Sequence, residues 1–177
     1  MKGVAFLACL VLSGSIAWAD DWPQVNGLTH DRTSTEAIEI DWESEKPKLN
    51  WRVACNGGFS SFVVGEGKAF TVLMAKIKSD VREVVVALNK ETGKAIWNTV
   101  LGKAGYDRGG GNGARNNNGG DGPRATPVID KDWLYIYGGR FDLYALNSET
   151  GKIIWSRDIL KEFGGSMIRW SNAMSPL

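Results

Sequence analysis

Ala87-Leu88-Asn89-Lys90-Glu91-Thr92-Gly93-Lys94-Ala95-Ile96-Trp97 returns 58 residues later as Ala145-Leu146-Asn147-Ser148-Glu149-Thr150-Gly151-Lys152-Ile153-Ile154-Trp155. The copies differ only at Lys90/Ser148 and Ala95/Ile153. Self-similarity at a fixed period marks a repeat architecture, in which each unit buries its faces only against a neighbour. Upstream the match is weaker: Ser61-Phe62-Val63-Val64 and Gly67-Lys68-Ala69-Phe70 align with Thr126-Pro127-Val128-Ile129 and Asp132-Trp133-Leu134-Tyr135 at an offset of 65. The first unit therefore carries seven more residues in the intervening hairpin. A third unit opens at Ser175-Pro176-Leu177.

Each unit reads as four short strands. In the second unit these are residues 125–129, 133–137, 142–147 and 152–157, rich in β-branched and aromatic residues and separated by turn chemistry. In Asn-x-x-Thr-Gly the Asn side chain caps turn N–H groups, and the Gly takes a positive φ that a Cβ would penalise. Four-stranded units at this spacing, each ending in Trp, predict an all-β fold, a β-propeller. The WD repeat does not fit, because Asp41-Trp42 and Asp132-Trp133 are reversed. Trp51, Trp97 and Trp155, with Gly93 and Gly151, are the expected blade-docking residues, and Trp155→Ala is expected to loosen blade packing. A fully buried Trp contributes about 4 to 6 kcal/mol as an upper limit.

Residues 1–19 have the layout of a secretory signal peptide: Lys2, an apolar run over 4–11, and Ala17-Trp18-Ala19 before Asp20. The run is too short to span a bilayer, and no later stretch is long and apolar enough. Export to the periplasm or outside the cell is expected. Residues 20–48 read as a lead-in and 49–177 as a partial propeller. Blade 1 covers about 49–100, a Gly-rich loop 101–124, blade 2 about 125–160, and blade 3 starts at about 170–177.

The 21 basic and 20 acidic residues give a neutral balance that argues against nucleic acid as partner. Cys9 falls within the signal. Cys55 is then the one mature cysteine, read as a small buried hydrophobe. His30, the single histidine, reads as solvated.

The motif Ala-x-Asn-x-x-Thr-Gly-Lys-x-x-Trp resembles the tryptophan-docking motif of the pyrroloquinoline quinone (PQQ) propellers. Trp22-Pro23-Gln24-x-x-Gly27, Leu49-Asn50-Trp51, residues 120–128 and the run from Trp170 to Leu177 are similar to those of secreted PQQ-like repeat proteins. The family includes quinoprotein alcohol dehydrogenases, which hold PQQ with calcium, an aspartate base and, in many members, adjacent cysteines. It also includes non-catalytic members that serve outer-membrane assembly. PQQ and calcium are implied by this resemblance alone. The adjacent cysteines are absent, since Asn56 follows Cys55, and neither a calcium-ligand set nor the catalytic aspartate maps onto this chain.

The loop over 101–124 holds nine glycines with Arg and Asn residues, yet has neither a phosphate-loop nor a calcium-loop pattern. Arg124, just before the innermost strand of blade 2, and Trp170, in the corresponding connection before blade 3, are the candidate channel-facing ligand contacts. The alternative for Arg124 is bonding to neighbouring loop carbonyls. No catalytic residue emerges from spacing. The expected role is binding or scaffolding, with the N-terminal piece of a PQQ-dependent alcohol dehydrogenase as the rival. The expected partners are the remaining blades of a longer chain, and beyond those an envelope protein or a small molecule.

Overall fold

The computed structural model describes residues 21–38, 40–44, 46–104, 122–168 and 171–177. The signal-peptide pattern at 1–19, most of the Gly-rich loop and Trp170 lie outside them. Two four-stranded antiparallel sheets follow one another in strictly sequential order. The first comprises β1 (Val63–Gly65), β2 (Lys68–Ile77), β3 (Asp80–Asn89) and β4 (Ala95–Lys103). The second comprises β5 (Val128–Asp130), β6 (Trp133–Tyr137), β7 (Asp142–Asn147) and β8 (Ile153–Asp158). These are two blades of a propeller.

The inner strands β1 and β5 lie side by side at the expected offset, and the longer first hairpin appears as the extended β2–β3 pair. β5 begins at Val128 rather than at residue 125. Pro127 has no N–H to give, and the Thr126 N–H goes to the Ser175 hydroxyl at 2.9 Å.

Between the sheets lies one apolar core. Val63, Phe70, Val72, Val85, Ala87 and Leu101 from the first sheet meet Ile129, Leu134, Ile136, Tyr144 and Leu146 from the second, with Trp97 packed against them. The β3–β4 and β7–β8 turns form as their sequences dictate. The Asn89 side chain accepts from the Thr92 N–H at 2.9 Å, and that of Asn147 accepts from the Thr150 N–H at 2.8 Å. Gly93 and Gly151 follow at φ 67° and 70°, the left-handed region that favours glycine.

A short helix α1 (Ile159–Phe163) follows β8, its first turn capped by the Asp158 carboxylate accepting from the Lys161 N–H. The chain then returns inward, where the Asn172 side chain donates to the Tyr137 carbonyl at 3.1 Å. Cys55 departs from expectation: it is exposed, because residues 52–59 run outside the core.

Candidate functional site

The junction between the sheets is built from matched contacts. The Trp97 ring lies over Gly151 so closely that a Cβ there would sit 2.4 Å from it, and the indole N–H donates to the Ser148 carbonyl at 3.1 Å. Beside it the Thr99 hydroxyl donates to the Gly151 carbonyl at 2.6 Å. Trp51 repeats this arrangement one unit earlier. Its ring lies over Gly93, 2.6 Å from a Cβ placed there, and its N–H donates to the Lys90 carbonyl at 2.9 Å. In both cases the accepting carbonyl is three residues before the glycine. Trp97 and Trp51 are half-buried, whereas Trp155 is exposed.

Polar groups close the junction on either side. Glu83, buried near the start of β3, accepts from the Gly139 N–H through both oxygens, at 3.0 and 3.2 Å. Tyr144 takes the Gly102 N–H at 3.1 Å. Burial, followed by the Asp142 charge, pushes its phenol above the ordinary range. Lys68, nearly buried, pairs with Glu149 on the tip of the second hairpin. Nothing in sequence spacing pointed to Glu83 or Lys68, whose partners lie 56 and 81 residues away.

Toward the inner edge, the N-terminal segment lies along both inner strands. Trp22 exchanges backbone hydrogen bonds with Val64, and the Pro23 carbonyl accepts from the Ile129 N–H at 2.9 Å. Gln24 is buried, donates to the Gly27 carbonyl and stands 3.1 Å from the His30 ring. His30 itself is exposed.

Arg124 sits just before β5. Its guanidinium donates to the Gly122 carbonyl at 3.2 Å and lies over the Phe59 ring at 4.8 Å. The geometry thus gives it a loop carbonyl and an aromatic face as partners.

A groove of about 560 Å³ opens on the far face of the second sheet, with Val128, Tyr135, Leu143, Trp155, Pro176 and Leu177 in its walls. Among the described residues no three His, Cys, Asp or Glu side chains come together as a metal site. The described residues thus bring together no carboxylate cluster of the kind that would hold the calcium of a quinoprotein. No described helix is long and apolar enough to cross a membrane.

No curated protein sequence matches this chain. Among solved structures, the quinohemoprotein alcohol dehydrogenase from Comamonas testosteroni superposes with a TM-score of 0.55 at 23% identity, covering 80% of this chain and 20% of its own. Quinohemoprotein alcohol dehydrogenase ADHIIG from Pseudomonas putida HK5 gives a TM-score of 0.42 at 22% identity, over 61% of this chain and 14% of that one. BamB from Moraxella catarrhalis gives 0.29 at 15% identity, over 58% and 34%. The chain thus spans about a fifth of the length of the first. A family model described as outer membrane protein assembly factor BamB matches residues 81–171, more than half of the chain. Those residues take in most of the first blade's outer half and all of the second blade, so the chain belongs to this PQQ-like repeat family.

Proposed function

We propose that this chain is an exported part of a PQQ-like propeller with a binding or scaffolding role, not catalytic on its own. In this reading Trp51, Trp97 and Trp155, with Gly93 and Gly151, dock successive blades. The observation that carries it is the use made of the polar side chains at the sheet junction. Glu83, Lys68 and Asn172 are each engaged in holding one part of the fold to another. Arg124 is tied to Gly122 and Phe59. Export is supported by the pattern over residues 1–19 and by the outer-membrane role in the family description. The partners of such a scaffold are further blades, then an envelope protein or a small molecule reached through Arg124 and Trp170 at the channel.

A second reading has its own support. The fold likeness to a quinohemoprotein alcohol dehydrogenase over 80% of the chain favours the N-terminal piece of a PQQ-dependent alcohol oxidoreductase. Titration with PQQ and calcium, followed by absorbance and by alcohol-dependent dye reduction, separates the two. The scaffold reading expects neither saturable binding nor turnover. Saturable PQQ binding with alcohol-dependent reduction would overturn it.

A further inference from the structure

The N-terminal segment that crosses both inner strands is held in shape by a buried amide. Trp22 exchanges backbone bonds with Val64, and the Pro23 carbonyl takes the Ile129 N–H. The next side chain, Gln24, is buried and donates from Nε2 to the Gly27 carbonyl at 2.9 Å. Gly27 is tied back through its own N–H to the Gln24 carbonyl at 3.1 Å, and the Trp22 ring lies so near that a Cβ at Gly27 would meet it at 2.7 Å. A carbonyl oxygen only accepts, so this contact fixes which end of the Gln24 amide faces Gly27. The same amide nitrogen stands 3.1 Å from Nε2 of His30. An NH2 group can bond that ring atom only when the atom carries no proton. His30 in this arrangement is the neutral tautomer with its proton on Nδ1.

A protonated imidazole donates from both nitrogens and has no acceptor left. Its Nε2–H then points at the N–H groups of Gln24. Turning the amide over relieves that clash but sets its oxygen against the Gly27 oxygen, so one of the two bonds is lost either way. We propose that Gln24 and His30 form a proton-sensitive latch, which keeps the N-terminal segment seated on both inner strands while His30 is neutral and loosens it when His30 is charged. The groups around the ring come from two places. Asp31 and Arg32 follow it in the chain, and Asp130 and Tyr135 of the second sheet share the walls of one groove with it. Arg32 donates to the Asn26 side chain. Asp31 accepts from the Thr29 and Thr33 hydroxyls, and these bonds, Thr29 first, hold its carboxyl down at about 2. Asp31 therefore stays ionised throughout the interval of about pH 5 to 8 in which histidines take up a proton. The latched form excludes the proton and the loosened form accepts it, so loosening grows as pH falls.

Hydrogen exchange of the full chain, followed amide by amide by NMR at about pH 8 and about pH 5, tests this. Rates are compared as protection factors, which remove the intrinsic effect of pH on exchange. The Val64 and Ile129 N–H groups, bonded to Trp22 and Pro23, are expected to lose protection about fivefold at the lower pH, as one net hydrogen bond is lost. The Ser148 N–H, bonded to the Asp132 carbonyl within the second blade, is expected to keep its protection. His30→Ala removes an exposed ring and leaves the core untouched. It is expected to show the lowered protection at Val64 and Ile129 at both pH values. Wild-type protection there that ignores pH overturns the latch. So does a pH dependence that survives His30→Ala, or a His30→Ala chain as well protected as the wild type at the higher pH. A parallel loss at Ser148 would mean loosening of the whole fold and also overturns it. The ring nitrogen shifts of His30 at the higher pH give an independent readout: a proton on Nδ1 is expected, and one on Nε2 overturns the proposal.

Discussion

The two blades carry nearly the same hairpin and put it in different surroundings. Trp97 and Trp155 occupy the same register, opposite Ala87 and Ala145, and in both blades the pairing shifts by a residue just beyond. Each leans on the aromatic of the second strand, Phe70 at 5.8 Å and Tyr135 at 6.2 Å. Yet Trp97 is half-buried and Trp155 exposed, and every residue of β8 is exposed. The same local chemistry thus gives different burial. What each of these tryptophans buries depends on the sheet that lies against it, not on its own sheet.

The sharpest way to break this comparison is at the glycines. Gly151→Ala adds a Cβ that meets the Trp97 ring at 2.4 Å and holds a φ of 70° that L residues adopt at a cost. It strikes the junction between two sheets. Gly93→Ala has the same local geometry, with Trp51 at 2.6 Å, but displaces only the segment around Trp51, which lies outside either sheet. The expected loss is about 3 to 4 kcal/mol for Gly151→Ala, from backbone strain plus lost packing, and about 1 to 2 kcal/mol for Gly93→Ala. Urea unfolding of both variants checks the order. Equal losses would mean that the hairpin, not the junction, sets the cost.

The tryptophans sharpen the same contrast. Trp97→Ala removes the ring from the sheet junction and leaves the Ser148 carbonyl without its indole donor. About 2 to 3 kcal/mol is expected, below the usual core range because the ring is half-buried. Trp155→Ala removes an exposed ring and is expected to cost under about 1 kcal/mol in this chain. Among the described residues Trp97 is the member of the pair with a sheet against it, so the loosening expected of Trp155→Ala is set beside the same change at Trp97. Thermal melts of the pair decide the matter: equal shifts would show that Trp155 has a covering surface of its own.

Much of the fold was legible because its signals are local. The Asn caps and positive-φ glycines act within five residues, and β6 and β7 fall on the expected spans. The chain's offsets of 58 and 65 even fixed which hairpin would be longer. What was not legible depends on distance. Glu83 and Lys68 look like surface charges in strand sequence, and only blade stacking brings Gly139 and Glu149 to them. Trp22 and Gln24 read as lead-in, although their packing is set by two inner strands more than 35 residues on. Cys55 was misjudged for the same reason: burial of a small residue follows from where its segment runs. The Arg124 guanidinium bonds a carbonyl only two residues away, a contact that local sequence could suggest.

The smallest expected effect tests the pairing of β7 with β8 in the second blade. Asp142 and Asp158 stand directly opposite each other across β7 and β8. Burial, then the Asp158 charge, raises the Asp142 carboxyl above the ordinary range, with Arg140 opposing. A carboxyl raised in the folded state binds its proton more readily there than in the unfolded chain. Its charge therefore weighs against folding at neutral pH, and that cost fades as pH falls through the raised value toward the ordinary carboxylate value of 3.8. Asp142→Asn is expected to melt slightly higher than the wild type at pH 7, with the advantage shrinking as pH falls. The register partner is the wrong one to change, because the Asp158 carboxylate also caps α1 through the Lys161 N–H. Melting curves across this range check it, and a pH-independent difference would mean that Asp142 acts through packing rather than through charge.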